Sequence, residues 1–265
     1  MAMPRRSWRR VLSGAALLAL AGSAFNFVST APAVGRTSEL RTSRRVLAEA
    51  DLSPEQRELV EHFLSTQVTD EEAKRKEKPF PFSEEELIRR AKIYLALNQD
   101  DVTAPELLAE DFEFAGPIIG PLGKAKYIEQ FKSFNFREAF PDAVNEWHHF
   151  RVDPFEPNRV WFTTRGHGKN TGLAPPLITE PTGKVFENPP QACSLRFNEA
   201  GEVTQYTIGY VMDRRVGNTG GVGGLMGILY AVGKPFPYPE GQPYQPSWQR
   251  TLVNSIVEFL QQFSK

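Results

Sequence analysis

The sequence predicts an α+β domain in which helices pack on one face of an antiparallel sheet. Two observations predict it: apolar residues recur at helical spacing up to about residue 134, and alternating segments rich in β-branched and aromatic residues follow from about residue 146. With 40% hydrophobic and 24% charged residues, the composition is that of a folded domain. The formal net charge of −1 lacks the basic excess of nucleic-acid-binding proteins, so no nucleic-acid partner is expected.

The first 48 residues have the composition of a targeting sequence. Four arginines precede an apolar run over 11–20, and small residues follow it, which predicts a signal peptide over 1–24. The run is shorter than the roughly 20 residues of a membrane-spanning helix, so no transmembrane anchor is expected after processing. Residues 25–48 begin with Phe25 and are rich in arginine and serine, as transit peptides are.

A signal peptide followed directly by phenylalanine and a transit-like segment resembles the bipartite presequences of algal proteins that enter complex plastids. The predicted location is therefore the plastid (chloroplast). Secretion or export to a periplasm is the alternative, because an Arg-Arg pair before an apolar run also permits a weak twin-arginine signal.

The helical part of the domain begins at residue 83, after a helix and charged linker over 49–82. Ser83 stands three residues before Glu86, which is the spacing of a capping box, and an apolar stripe follows over 87–97. Residues 105–109 predict a short helix, and residues 124–134 predict a longer one. Between these two helices, Phe112 and Phe114 alternate with charged residues, as in a half-buried strand.

Four segments from residue 146 onward predict strands: 146–152, 159–167, 184–197 and 202–213. The turn at 198–201 predicts a hairpin between the last two. The domain is expected to end at residue 234, and a Pro-rich linker with a C-terminal amphipathic helix occupies 235–265.

Several short phrases carry a resemblance to a known family. They are listed in chain order: Leu-Leu-Ala-Glu-Asp-Phe at 107–112, Ala-Phe-Pro-Asp at 139–142, Arg-Gly-His-Gly at 165–168, Pro-Thr-Gly-Lys at 181–184, and the hairpin at 198–201 with a closing Asp213. In this order they resemble the SnoaL-like polyketide cyclases of the NTF2-like superfamily. The resemblance implies a cone, in which N-terminal helices wrap a curved antiparallel sheet, here with an added C-terminal helix.

The resemblance also implies a pocket for a small apolar molecule, such as a polyketide-, terpenoid- or pigment-like compound. Cyclases of this family use one carboxylic acid to move a proton beside a carbonyl, with no metal or cofactor. Asp213 matches that acid by position, although the adjacent Arg214 and Arg215 favour a structural role. His167 at a strand end is the second catalytic candidate. Cyclase-like or isomerase activity and simple binding both stay open.

Strand periodicity predicts which side chains face the pocket. Tyr206, Tyr210 and Met212 share one face of the last strand, and Asp213 points to the other face unless a bulge intervenes. The expected ligand-binding residues are apolar or aromatic: Trp161, Tyr206, Tyr210, Met212, Leu195, Phe112 and Phe114.

Three further features complete the prediction. Cys193 lies in an apolar run, which favours a buried inert thiol, and no metal site is expected. The Gly-rich run at 217–227 lacks the ending of a phosphate-binding loop, so we interpret it as a lid or a close-packed turn over the open end of the cone.

The Pro-rich linker and added helix support an alternative, a non-catalytic scaffold or assembly protein in an organelle. A homodimer through the outer sheet face would be ordinary for this superfamily.

Overall fold

The computed structural model of the chain describes residues 52–67 and 70–262. The predicted signal peptide (1–24) and transit-like segment (25–48) lie outside the described residues. The described residues belong to two compact units, one comprising residues 60–245 and the other residues 52–59 with 246–262. Within the described ranges, no helix combines the length and the apolar character that a membrane crossing requires.

Seven α-helices lie in the described part of the chain. They are α1 (Pro54–Ser65), α2 (Glu71–Lys76), α3 (Glu84–Asn98), α4 (Lys124–Ser133), α5 (Phe136–Ala139), α6 (Gly224–Ala231) and α7 (Trp248–Gln262). The predicted start of α3 is confirmed, because the Glu86 backbone N–H donates to Ser83 Oγ at 3.3 Å and so satisfies one free amide of the first turn. The predicted C-terminal helix is confirmed as α7.

Six strands form the main sheet, and two form a small separate one. The strands are β1 (Leu108–Ala115), β2 (Leu122–Gly123), β3 (His148–Val152), β4 (Arg159–Thr164), β5 (His167–Lys169), β6 (Val185–Glu187), β7 (Gln191–Phe197) and β8 (Val203–Val211). The main sheet has the order β2-β1-β8-β7-β4-β3, and β5 pairs with β6. Its pairs are antiparallel except β1 with β8, which run parallel. A curved, unclosed sheet with helices confirms the predicted α+β cone.

Two predicted strands are each divided in the structure. Residues 184–197 form β6 and β7, which belong to different sheets, because Pro189 and Pro190 lack the N–H groups that a continuous ladder needs. Residues 159–167 are interrupted between Thr164 and His167. The short helix predicted over 105–109 is a 3₁₀ turn (Pro105–Leu107) that leads directly into β1.

The buried side chains form two clusters in the unit of residues 60–245. The first cluster joins α3 and α4 to the inner face of the sheet, and its largest members are Tyr94, Phe112, Tyr127, Phe162, Leu195, Phe197 and Tyr206. The second cluster joins the small sheet to α5 and α6 through Phe140, Ile178, Phe186 and Leu229. Each cluster buries several aromatic rings, which bury more apolar surface than other side chains.

A β-bulge divides β8 into two parts. Ala192 pairs with Tyr210 and Ser194 pairs with Thr207, so Cys193 alone stands opposite Ile208 and Gly209. Gly209 has φ +92°, a backbone conformation that glycine adopts without strain. The extra residue changes the face of the residues beyond it. The prediction that Tyr210 and Met212 face inward with Tyr206 is therefore wrong, because their exposed fractions are 42% and 61%.

Candidate functional site

A cavity of about 210 Å³ lies where the two buried clusters meet. Its apolar wall comes from β1, β8, α4, α5 and α6 and from the loops beside them. The wall side chains from the first cluster are Phe114, Ile119, Phe131, Trp147 and Ile208, and those from the second are Phe134, Phe136, Leu225 and Ile228. Both clusters therefore contribute apolar side chains to the cavity wall.

The backbone of the Gly-rich run (217–227) lies directly against the backbone of neighbouring segments, with no side chain between them. A Cβ at Gly223 would lie 1.8 Å from the carbonyl oxygen of Gly209, and one at Gly217 would lie 2.2 Å from that of Glu187. Such distances exclude any larger residue. The close approach positions α6, whose residues Leu225, Met226 and Ile228 border the cavity. Of the two interpretations of this run, a lid or a close-packed turn, the close backbone contacts favour the close-packed turn.

Polar side chains reach the cavity at seven points. They are Gln99, Asp100, Gln130, Asn145, Thr164, Asn188 and Gln191. Among the described residues that line the cavity, Asp100 is the one ionisable side chain. It follows α3, and its Oδ2 atom lies 3.1 Å from Arg137 Nε on α5. The cavity thus contacts one carboxylate and six uncharged polar groups.

Three buried tyrosines stand behind this wall. The Tyr206 hydroxyl donates to Gln99 Oε1 at 2.5 Å, and the Tyr94 and Tyr127 hydroxyls share a hydrogen bond of 3.2 Å. Burial raises the pKa of Tyr206 and of Tyr94 well above the ordinary value, so both phenols are neutral at pH 7. The hydroxyl of Tyr206 fixes the orientation of the Gln99 amide, because an O–H donor selects the amide oxygen.

Of the predicted ligand-binding residues, Phe114 borders the cavity. Tyr206, Leu195 and Phe112 belong to the solid part of the first cluster and do not line the cavity, because the rings of α3 and α4 cover them. Trp161 lies on the outer face of β4 and not on the inner face. Its indole N–H donates to Asp153 Oδ2 at 2.7 Å.

Asp213, the first catalytic candidate, lies outside the cavity. The backbone and guanidinium of Arg215 donate hydrogen bonds of 2.9–3.0 Å to its carboxylate. These bonds lower the pKa of Asp213 to about 2, so its carboxylate is ionised and paired at neutral pH. The bulge at Gly209 reverses the facing of the side chains that follow it in β8. Asp213 nevertheless stays outside the cavity, because it lies in the turn after the strand ends at Val211. Asp213 therefore has a structural role: its carboxylate binds Arg215, two residues along the chain.

His167, the second candidate, also lies outside the cavity. It begins β5 on the small sheet, and its side chain is 48% exposed. Its Nδ1 atom is 4.0 Å from Glu146 Oε1. The structure therefore brings neither predicted catalytic residue to the cavity, nor does it bring the two together.

Sequence reasoning missed the polar residues of the wall. Asp100 follows helix α3, whereas both predicted catalytic residues, Asp213 and His167, were expected at strand ends. Asn188 and Gln191 flank the pair Pro189-Pro190. Polar side chains beside such a rigid segment could have indicated a polar part of the site. Gly209, an isolated glycine in a strand pattern, was a signal for the bulge.

Two further predictions concern metal ions and the thiol of Cys193. In the part of the chain that the structure describes, no three His, Cys, Asp or Glu side chains are grouped so as to hold a metal ion. Cys193 is buried, as predicted, and burial raises the pKa of its thiol to about 12. The thiol is therefore protonated at physiological pH.

No family model matches the chain, and no curated protein matches it. Solved structures do match. AclR from Streptomyces galilaeus, a candidate hydroxylase, is 17% identical over 69% of this chain and 98% of its own, with a TM-score of 0.41. A candidate SnoaL-like polyketide cyclase from Jannaschia sp. CCS1 is 15% identical over 60% of this chain and 99% of its own, with a TM-score of 0.41. An NTF2-like protein from Cytophaga hutchinsonii is 16% identical, covering 51% and 93% respectively, with a TM-score of 0.30.

These identities and TM-scores are low, so any likeness concerns the fold, and function has to be argued from the cavity. The solved structures that match the chain include SnoaL-like and NTF2-like proteins, at low identity and low TM-score.

Proposed function

We propose that this protein binds a small, largely apolar organic molecule in the cavity between the two clusters. The observation that carries the proposal is the cavity itself: an apolar wall from five elements, with polar groups at a few points. Ligand sites in proteins have this composition, since apolar contacts supply affinity and a few polar groups fix orientation. A volume of about 210 Å³ favours a compact ligand of one or two rings.

The wall also favours an uncharged ligand. Among the described lining residues there is no lysine, arginine or histidine to pair with an anion. A cation would meet Asp100, but that carboxylate already has Arg137 as its partner. Because burial of an unpaired charge is costly, a neutral molecule suits the cavity best.

Binding is tested with 1-aminonaphthalene, a neutral two-ring dye whose fluorescence changes in apolar surroundings. We expect saturable binding to the wild type and competition by indane. Ile208→Trp should abolish both, because the indole would fill the cavity that Ile208 borders. Val185→Trp is the matched control, since Val185 is exposed on β6 away from the cavity. Equal binding by the wild type and Ile208→Trp would contradict the proposal.

Acid–base catalysis at Asp100 is the second candidate function, and it is the cyclase- or isomerase-like chemistry that the family resemblance implies. It is supported by the position of one carboxylate on an otherwise uncharged wall, 3.1 Å from the guanidinium of Arg137. Such a carboxylate can accept the α-proton of a bound ketone, leaving an enolate that recovers a proton from the resulting acid.

Exchange of the α-protons of 1-indanone in D₂O, followed by NMR, tests this candidate. The wild type should accelerate exchange over buffer, and Asp100→Asn should remove the acceleration while indane still binds. Asp101→Asn is the matched control, because Asp101 is exposed and does not line the cavity. No acceleration by the wild type would leave binding alone as the function.

The scaffold alternative and the cellular location are separate proposals. An assembly role predicts that removing residues 246–265 changes the oligomeric state, which analytical ultracentrifugation measures. We also propose a plastid location: residues 1–48 fused to a fluorescent protein should enter the plastid of an alga with a secondary plastid. Secretion of the fusion would favour the export alternative.

A further inference from the structure

Two buried amide side chains on the cavity wall each have a polar atom without a hydrogen-bond partner among the described residues. They are Gln191, at the start of β7, and Asn188, between β6 and β7. Their exposed fractions are 1% and 9%. Buried polar atoms in native proteins are nearly always paired, so two orphans in one cavity wall call for an explanation.

The orphan atom of Gln191 is a donor. Gln191 Oε1 accepts a hydrogen bond of 3.0 Å from the backbone N–H of Gly224. An N–H group can only donate, so the amide cannot be turned over without setting two donors against each other. The free atom is therefore Nε2.

The orphan atom of Asn188 is an acceptor. Asn188 Nδ2 and Asn145 Oδ1 both approach Gly166, at 3.3 and 3.1 Å from the position that a Cβ there would occupy. Oδ1 of Asn188 is the buried side-chain atom without a partner, and an amide oxygen can only accept a hydrogen bond. The backbone N–H of Asn188 donates to the Gly166 carbonyl at 2.8 Å, which holds the residue in place.

The two residues lie three positions apart on a restricted segment of backbone. Pro189 and Pro190 lie between the two residues and restrict the backbone. The carbonyl of Pro190 accepts from the Met212 N–H at 2.8 Å, which ties the segment to the end of β8. Three residues of chain span at most about 11 Å between Cα atoms, and both residues border the same cavity, so one bound molecule can contact both side chains.

We infer that Gln191 and Asn188 are the specificity-determining pair of the cavity, and that the ligand carries an uncharged acceptor oxygen for Gln191 and a hydroxyl donor for Asn188. This inference rests on the proposed function. A compact hydroxylated ketone satisfies both atoms. A hydrocarbon leaves both unpaired, and a carboxylate brings a charge that no cation on the described wall balances.

A ligand series on one skeleton tests the pair: indane, 1-indanone, 5-hydroxy-1-indanone and indane-5-carboxylate, with Kd measured by NMR titration of the full chain. We expect 1-indanone to bind about tenfold more tightly than indane, and the hydroxyketone to bind more tightly still. The carboxylate should bind most weakly. A wild-type preference for indane over 1-indanone would overturn the inference without any variant.

Gln191→Glu tests the role of the Nε2 donor alone, because the rest of the side chain keeps its size and shape. The glutamate keeps an oxygen for the Gly224 N–H but replaces Nε2 with an acceptor, so the preference for 1-indanone over indane should vanish. Asn188→Leu should remove the gain from the hydroxyl and leave the gain from the ketone. Asn188→Asp is its control, because it retains an acceptor oxygen.

The outcomes distinguish the two proposals. If indane fails to bind the wild type, the proposed function fails. If indane binds but the carbonyl and hydroxyl add nothing, or if Gln191→Glu keeps the ketone preference, the cavity binds ligands but the pair does not select them. Indane binding by each variant reports that the variant is folded.

Discussion

The inner side of the sheet has a solid region and a hollow region. In the solid region, Tyr206 and Leu195 are fully buried against the rings of Tyr94 and Phe162. In the hollow region, Ile208 and Phe131 face the cavity. Both regions use β8, and Ile208, the first hollow-region residue, immediately precedes the bulge glycine, Gly209.

The difference shows how one strand serves two purposes. Up to Tyr206 the strand delivers Val203 and Tyr206 to a densely packed core, helped by a second register shift between Val203 and Gln205. At Gly209 the added residue turns the following side chains outward, and the backbone of Gly223 takes the vacated position. The cavity exists because glycine backbone, and not a ring, occupies this end of the sheet.

Truncation in the two regions should have the largest effect on stability. Leu195→Ala removes a fully buried side chain from the solid region, and we expect it to lower the free energy of unfolding by about 2–5 kcal/mol. Ile208→Ala removes a side chain that already faces a cavity, so a loss of about 1–2 kcal/mol is expected. Urea denaturation measures both values. Equal losses would mean that the two regions are packed alike.

Substitution of the bulge glycine should have the next largest effect. Gly209→Ala places a Cβ at φ +92°, within 3.2 Å of the Gly224 nitrogen and of Pro117 Cδ. We expect a loss of about 1–3 kcal/mol from backbone strain, together with weaker dye binding, because the contact between β8 and α6 must open. Gly116→Ala is the control: its nearest contact is 3.4 Å, and a change within about 0.5 kcal/mol is expected. An unaffected Gly209→Ala variant would contradict the role of the bulge.

Removal of the Asp213 charge should have the smallest effect. Asp213→Asn is expected to leave dye and indane affinity unchanged, because the residue lies outside the cavity. In the wild type, the pKa of Asp213 is lowered to about 2, so its ion pair with Arg215 stabilises the fold above the unfolded-state pKa of about 3.9. That contribution is lost as the pH falls toward 2, since the carboxylate is then protonated. Urea midpoints of the wild type and the variant should therefore converge between pH 4 and pH 2; a difference that grows as the pH falls would sink this assignment.

Most of the fold could be predicted because the patterns that specify it are local. The cap at Ser83 and the alternation at Phe112 and Phe114 each depend on neighbours in sequence, and both are present in the structure. The hairpin at 198–201 has the same local character, with a hydrogen bond of 2.9 Å from the Gly201 N–H to the Asn198 carbonyl.

The site was harder to predict because its members are distant in sequence. Asp100, Asn188 and Gln191 meet only when the helix end, the diproline segment and the strands assemble. Strict period-two counting also ignores an inserted residue, so it assigned Tyr210 and Met212 to the wrong face. Both errors arise from tertiary geometry, which periodicity does not contain.

The parallel pairing of β1 with β8 has a consequence for biosynthesis. Leu108 finds its partner, Val203, only after nearly the whole domain has been translated. A chain still emerging from the ribosome therefore exposes the edge of β1 that later pairs with β8, and loop-closure entropy delays this pairing further. A polypeptide that completes its sheet this late keeps unpaired backbone and apolar surface exposed until its last strand arrives.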